Sequence, residues 1–136
     1  MAWHPGGGVK LRLEGRLPYL EVTLRFAGQQ LRLDRVLLDT GSAGSVFAAD
    51  VVDALGIGPE STDRIRRILG VGGSEFVYSK RVEELALGDM KVKDFEIQVG
   101  AMRYGFPLDG IVGMDFLLST QAIIDLKALE VRPSSN

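Results

Sequence analysis

Leu37-Leu38-Asp39-Thr40-Gly41-Ser42, followed by Ala43-Gly44-Ser45-Val46-Phe47, decides how this chain reads. An apolar run carries an acid to its end, and small residues then turn the chain sharply. Such an arrangement presents a carboxylate at the rim of a core, where its surroundings tune its ionisation. On the residues alone Asp39 has two readings: a catalytic acid, or an acid capping a turn through Thr40 and Gly41, a common role for Asp after a strand.

Immediately upstream, Leu31 to Leu38 reads as a strand returning from a turn at Ala27-Gly28-Gln29-Gln30. Val36-Leu37-Leu38 is apolar on both faces, which implies a central place in a sheet. The outgoing strand is the alternation Leu20, Val22, Leu24 and Phe26 with Glu21, Thr23 and Arg25. Val9, Leu11 and Leu13 alternate with Lys10, Arg12 and Glu14 and predict a further half-buried strand. Residues 1–8, with Trp3, Pro5 and three consecutive glycines, lack periodicity and read as a flexible lead-in.

Downstream of the turn, Ala48 to Leu55 has helical spacing, with Gly56 as its stop. Arg64 to Leu69 and Glu75 to Lys80 flank Gly70-Val71-Gly72-Gly73 and predict a hairpin with a flexible glycine tip. A nucleotide-binding loop is the weaker reading, because such loops lead into a helix and carry Gly-Lys-Ser/Thr. Here Phe76, Val77 and Tyr78 follow, with strand character. Leu85 and Leu87 lead into a turn at Gly88-Asp89, and Phe95, Ile97 and Val99 alternate on the return. After a bend at Gly105 to Leu108, Ile111-Val112-Gly113 precedes a short helix from Met114 to about Ser119. Ile123, Ile124, Leu126 and Val131 suggest closing strands. Many short strands, two brief helices and close-set turns describe an all-β, barrel-like domain over residues 9–132, with a polar tail at 133–136.

Three of these motifs together resemble the aspartic proteases of the single-lobed retroviral (retropepsin-like) type, over about residues 18 to 132. Leu37 to Ser42 resembles the active-site turn. Gly70 to Gly73 resembles the flap, and Leu108-Asp109-Gly110-Ile111-Val112-Gly113-Met114-Asp115-Phe116-Leu117 resembles the downstream signature. The resemblance implies a single-lobe acid-protease barrel with a dimeric active site. The chain has one Asp-Thr-Gly triplet and about the length of one lobe, so a second copy would supply the other acid. Asp39 is then the catalytic residue, supported by Thr40, whose hydroxyl would bond across the dimer, and by Gly41 and Ser42. The residues Gly70, Val71, Gly72 and Gly73 would form a flap that admits and covers an extended peptide. Val46, Leu108 and Ile111 are candidate pocket walls, although each serves equally well as core.

Ser42 is a candidate donor to the Asp39 carboxylate; its bland reading is an ordinary turn serine. Gly41 would let backbone and substrate approach closely. Gly113 would pack tightly beneath the turn. Asp109 and Asp115 receive no catalytic role, since both fall in the non-catalytic downstream element. Viral members commonly carry an acid two residues after the catalytic Gly and an Arg after the downstream Gly. Here these positions are Ala43 and Met114, so no charge is orphaned, and the chain looks closer to the cellular and bacterial members.

Bulk properties narrow the alternatives. The 136 residues are 46% apolar, enough for one packed domain. A net charge of −2, from interspersed acids and bases, argues against a dedicated nucleic-acid surface. No apolar run reaches membrane-spanning length, and Met1 to Gly8 lacks the apolar core of a signal peptide, so a cytoplasmic location is expected unless the chain is a fragment of a longer, tethered protein. The absence of cysteine excludes disulfides and thiol catalysis. A single histidine, His4, gives no basis for a zinc site or a Ser-His pair, and no metal or other cofactor is expected. The function implied is peptide-bond hydrolysis by a homodimer. Two rivals are a catalytically silent dimerisation or peptide-binding module of the same fold, and pairing with a different chain that carries the second acid.

Overall fold

The computed structural model describes residues 7–70 and 73–134. Val71 and Gly72, at the expected flap tip, lie outside the described residues.

Two long antiparallel strands, β3 (Leu17–Phe26) and β4 (Gln29–Leu38), come from the alternations that flank Ala27-Gly28. The turn is tighter than its residues suggested, since Gln29 and Gln30 already pair in β4. The expected strand at 9–14 is instead two short pieces, β1 (Val9–Lys10) and β2 (Arg12–Glu14), in different sheets. Leu11 is buried between them and its N–H donates to the Leu129 carbonyl, which turns the chain from one sheet to the other. Leu13 therefore faces solvent rather than the core. Gly7 and Gly8 are also part of the packed body: both are buried, and the Gly7 carbonyl accepts the Asp89 N–H.

After β5 (Val46–Ala48), the predicted helix forms as one α-turn, α1 (Ala49–Val52), followed by a 3₁₀ turn (Asp53–Leu55). Gly56 closes it at φ 77°, a conformation that suits glycine. A hairpin follows, from β6 (Ile65–Gly70) and β7 (Gly73–Leu87), and β7 turns at Gly88-Asp89 into β8 (Met90–Gly100). Then come β9 (Gly110–Val112), α2 (Met114–Thr120), β10 (Ile123–Asp125) and β11 (Glu130–Arg132).

Eight strands form one sheet in the order β2-β3-β4-β9-β5-β8-β7-β6, and β3 pairs also with β7, curling the sheet into a barrel. A smaller sheet, β1-β11-β10, packs its buried Val9 and Val131 against the same core. α2 anchors to β8 through Phe116, whose ring meets Phe95 edge-on at 5.9 Å. The loop before β6 is held by Lys80, nearly buried, with Nζ 2.8 Å from Glu60 and 2.9 Å from Asp63. Burial alone would lower the lysine's pKa, but bonds to these two carboxylates leave it raised. The same ammonium holds the Asp63 carboxyl below its usual range.

Candidate active site

Asp39 stands at the point where β4 leaves the sheet. β4 runs parallel to β9, pairing Leu37 with Ile111 and Leu38 with Val112, and the Asp39 N–H continues this ladder to the Val112 carbonyl at 3.0 Å. The backbone under the carboxylate is therefore part of the barrel. Beyond it the chain turns, with the Ser42 N–H donating to the Asp39 carbonyl at 3.1 Å and the Gly41 N–H to Asp39 Oδ1 at 2.9 Å. The side chain is half-buried and Thr40 is exposed beside it. A Cβ at Gly41 would lie 3.2 Å from that Asp39 oxygen, closer than most side chains tolerate.

Ser42 does not serve as expected. Its hydroxyl donates to the Gly44 carbonyl at 2.7 Å, and among the described residues only Gly41 donates to the Asp39 carboxylate. A hydroxyl has one proton to give. Within the turn, the Gly44 carbonyl lies two residues away and takes it, so Ser42 shapes the loop.

The turn is tied from below by a cluster that the motifs did not single out. Ser45, fully buried, donates its hydroxyl to Asp115 Oδ1 at 2.7 Å and its N–H to Oδ2 at 3.0 Å. The same hydroxyl accepts the Gly113 N–H at 3.0 Å. The N–H groups of Met114 and Asp115, in the first turn of α2, donate to the Ser42 and Ala43 carbonyls at 2.8 and 3.1 Å. Two elements some seventy positions apart thus share one network, held where Ala43 and Met114 offer no charge pair. Gly113 fits beneath as expected: a Cβ there would sit 2.5 Å from the Gly44 carbonyl oxygen and 2.6 Å from that of Ser42. Replacing Asp115 with Ala would strand the buried Ser45 hydroxyl and N–H. We expect this to cost about 1–3 kcal/mol of stability, read as a lowered urea midpoint with unchanged m-value.

Asp109 has a comparable structural task. Its Oδ2 accepts the Arg35 N–H at 3.2 Å, and its carbonyl accepts the Ala48 N–H at 2.9 Å, joining β4 to β5.

Val46, Leu108 and Ile111 come together in one apolar cluster, separate from the main core and joined by Tyr19, Ala48, Val77 and Met102. Ile68 and Tyr104 pack against its edge, so the hairpin reaches it from one side. A groove of about 630 Å³ runs past Gly41 to Gly44 and Val46, with Arg66 and Ile68 contributed by the hairpin. On the other side of the turn, a second groove of about 620 Å³ is lined by Thr40, Met114, Leu117, Leu118, Gln121, Ala122 and Ile124. Of the four residues expected to form a flap, Gly70 and Gly73 are described, and they pair with each other at the ends of β6 and β7. No group of three or more His, Asp or Glu side chains among the described residues converges to hold a metal ion. No helix there is long and apolar enough to cross a membrane.

The sequence model of a family described as aspartyl protease matches residues 22–116. No curated protein sequence matches the chain. Among solved structures, the chain is similar to a retropepsin-like aspartic protease from Rickettsia conorii, with TM-score 0.63 and 18% identity over 92% of this chain and 98% of that one.

Proposed function

The chain belongs to the aspartyl protease family and has the retropepsin-like fold, and from that premise we propose that it is an endopeptidase whose active site forms between two copies, each giving one Asp39. The observation that carries this reading is the position of Asp39. It sits on a rigid turn with a groove on the hairpin side and an apolar face beginning at Thr40 on the other.

Two carboxyl groups brought together at that turn repel as anions, so one keeps a proton while the other stays ionised. The ionised partner takes a proton from water as the water oxygen adds to the scissile carbonyl carbon. The protonated partner gives its proton to the carbonyl oxygen. Collapse of the resulting diol breaks the C–N bond as a proton passes to the leaving nitrogen. The strand β4, the bond to Val112 and the Ser45–Asp115 network keep each acid in place, which is where the protein contributes most. An extended peptide would lie in the groove along residues 41–46, with the hairpin of β6 and β7 across it and the cluster of Val46, Leu108 and Ile111 receiving an apolar side chain.

The face at Thr40 suits a second copy. Leu118 is 67% exposed there, and Ile123 and Leu126, the latter 69% exposed, extend the apolar surface after α2. A site shared by two chains calls for an obligate-type interface, on the order of 2,000 Å² or more. The test is a dilution series of peptide cleavage, followed alongside by native mass spectrometry. Activity is expected to fall faster than in proportion to protein concentration as dimer gives way to monomer. Strictly proportional activity from a species that stays monomeric overturns the shared site. A chain that dimerises yet cleaves nothing in a diverse peptide library is a silent module.

A further inference from the structure

The hairpin of β6 and β7 projects beyond the barrel. β7 pairs with β8 only from Tyr78 onwards, opposite Val99, so, among the described residues, 73–77 have β6 as their one strand neighbour. A two-stranded ribbon of this kind is marginally stable alone, and its position depends on what else holds it. Arg66 reaches Glu96 at only 4.0 Å, with both side chains substantially exposed, a contact of little strength.

Glu75 makes the firmer contact. One carboxylate oxygen accepts the Tyr104 hydroxyl, and the other accepts the Met102 N–H at 3.2 Å. Gly100 leaves room for it, since a Cβ there would lie 2.9 Å from Glu75 Oε2 and 2.9 Å from Val77 Cγ1. Burial, together with the adjacent carboxylate, raises the pKa of Tyr104, so its hydroxyl remains a donor. Residues 100–104 therefore form a seat for one acid from the hairpin. The same stretch supplies Met102 and Tyr104 to the cluster around Val46, Leu108 and Ile111, and farther along the chain Asp109 bonds to both β4 and β5.

We propose that Glu75 is a positioning residue: its carboxylate, seated on residues 100–104, holds the projecting hairpin over the apolar cluster and thereby sets how firmly an extended peptide is gripped. The inference rests on the protease reading only for its last clause. Val77, buried in the cluster, and Ile68 at its edge still hold the base of the ribbon, so loss of the tie loosens its outer part while leaving the turn that carries Asp39 untouched, and acts on peptide binding more than on the chemical step.

The test uses Tyr104→Phe, Glu75→Ala and the double variant. Tyr104→Phe removes one oxygen, and so guards against a misfolded Glu75→Ala. In the full chain without substrate, amide exchange across residues 73–77 is expected to quicken roughly ten-fold in each variant, with β3 and β4 unchanged. The double variant should be no worse than Glu75→Ala, since both remove one interaction. On a cleaved peptide, KM should rise several-fold with kcat within about two-fold of the parent. Unchanged exchange in the hairpin, exchange quickened equally throughout the barrel, or a loss confined to kcat each overturns the proposal. A parent chain that cleaves no peptide counts against the protease reading alone, because exchange reads the tie without substrate.

Discussion

Asp39→Asn is expected to lower peptide turnover by at least roughly 10²–10⁴-fold, with the fold and the dimer intact. That corresponds to about 3–5 kcal/mol of barrier. The expectation follows from what the substitution spares. The Asp39 N–H bond to Val112 and the Ser42 N–H bond to the Asp39 carbonyl are backbone contacts and survive. The amide oxygen of Asn still accepts the Gly41 N–H that Asp39 Oδ1 accepts now. What disappears is the ability to ionise, so neither copy can remove a proton from water. Cleavage measured with purified variant at saturating peptide, beside circular dichroism and sedimentation, separates lost chemistry from lost structure. Near-normal turnover would remove Asp39 from the mechanism.

Leu118→Asp is expected to dissociate the active species. Leu118 lies on α2, exposed in the single chain, so its replacement leaves the barrel core alone. In a two-fold dimer the change occurs twice. Each buried leucine contributes about 1.5–3 kcal/mol, so the pair should raise Kd by at least roughly 10²-fold. Sedimentation should show monomer where the parent is dimer, and activity at dilute protein should vanish. Activity should return as concentration rises, because Asp39 and its turn are unaltered. An unchanged Kd would move the second copy to another face and leave the exposed apolar surface after α2 without that occupant.

The residues that could be read directly were those whose cause is local. Apolar alternation at Leu20 to Phe26 and Leu31 to Leu38 specified two strands, because side chains on a pleated ribbon face alternate sides. Gly56 ended its helix and Gly113 sat beneath a crossing backbone, since a Cβ is either tolerated at a position or not. Where the reading departed from the fold, a distant partner had intervened. Alternation at Val9 to Leu13 looked like one strand, yet the contact of Leu11 with Leu129 splits it between two sheets. Ser42 stood within reach of the Asp39 carboxylate along the chain, and the path of the turn aimed its hydroxyl at Gly44 instead.

By itself, then, the amino-acid order determined a barrel of short strands and the acid at the end of its central one, as well as the glycines that admit close backbone. These are properties of neighbouring residues, set by pleat, turn geometry and side-chain volume. Only the tertiary structure decided that Asp115 would hold Ser45, that Glu75 would rest on residues 100–104, and that Val46, Leu108 and Ile111 would share one cluster. Hydrogen bonds and packing act over a few ångströms whatever the separation along the chain, and residue spacing carries no record of which distant groups folding brings within that range.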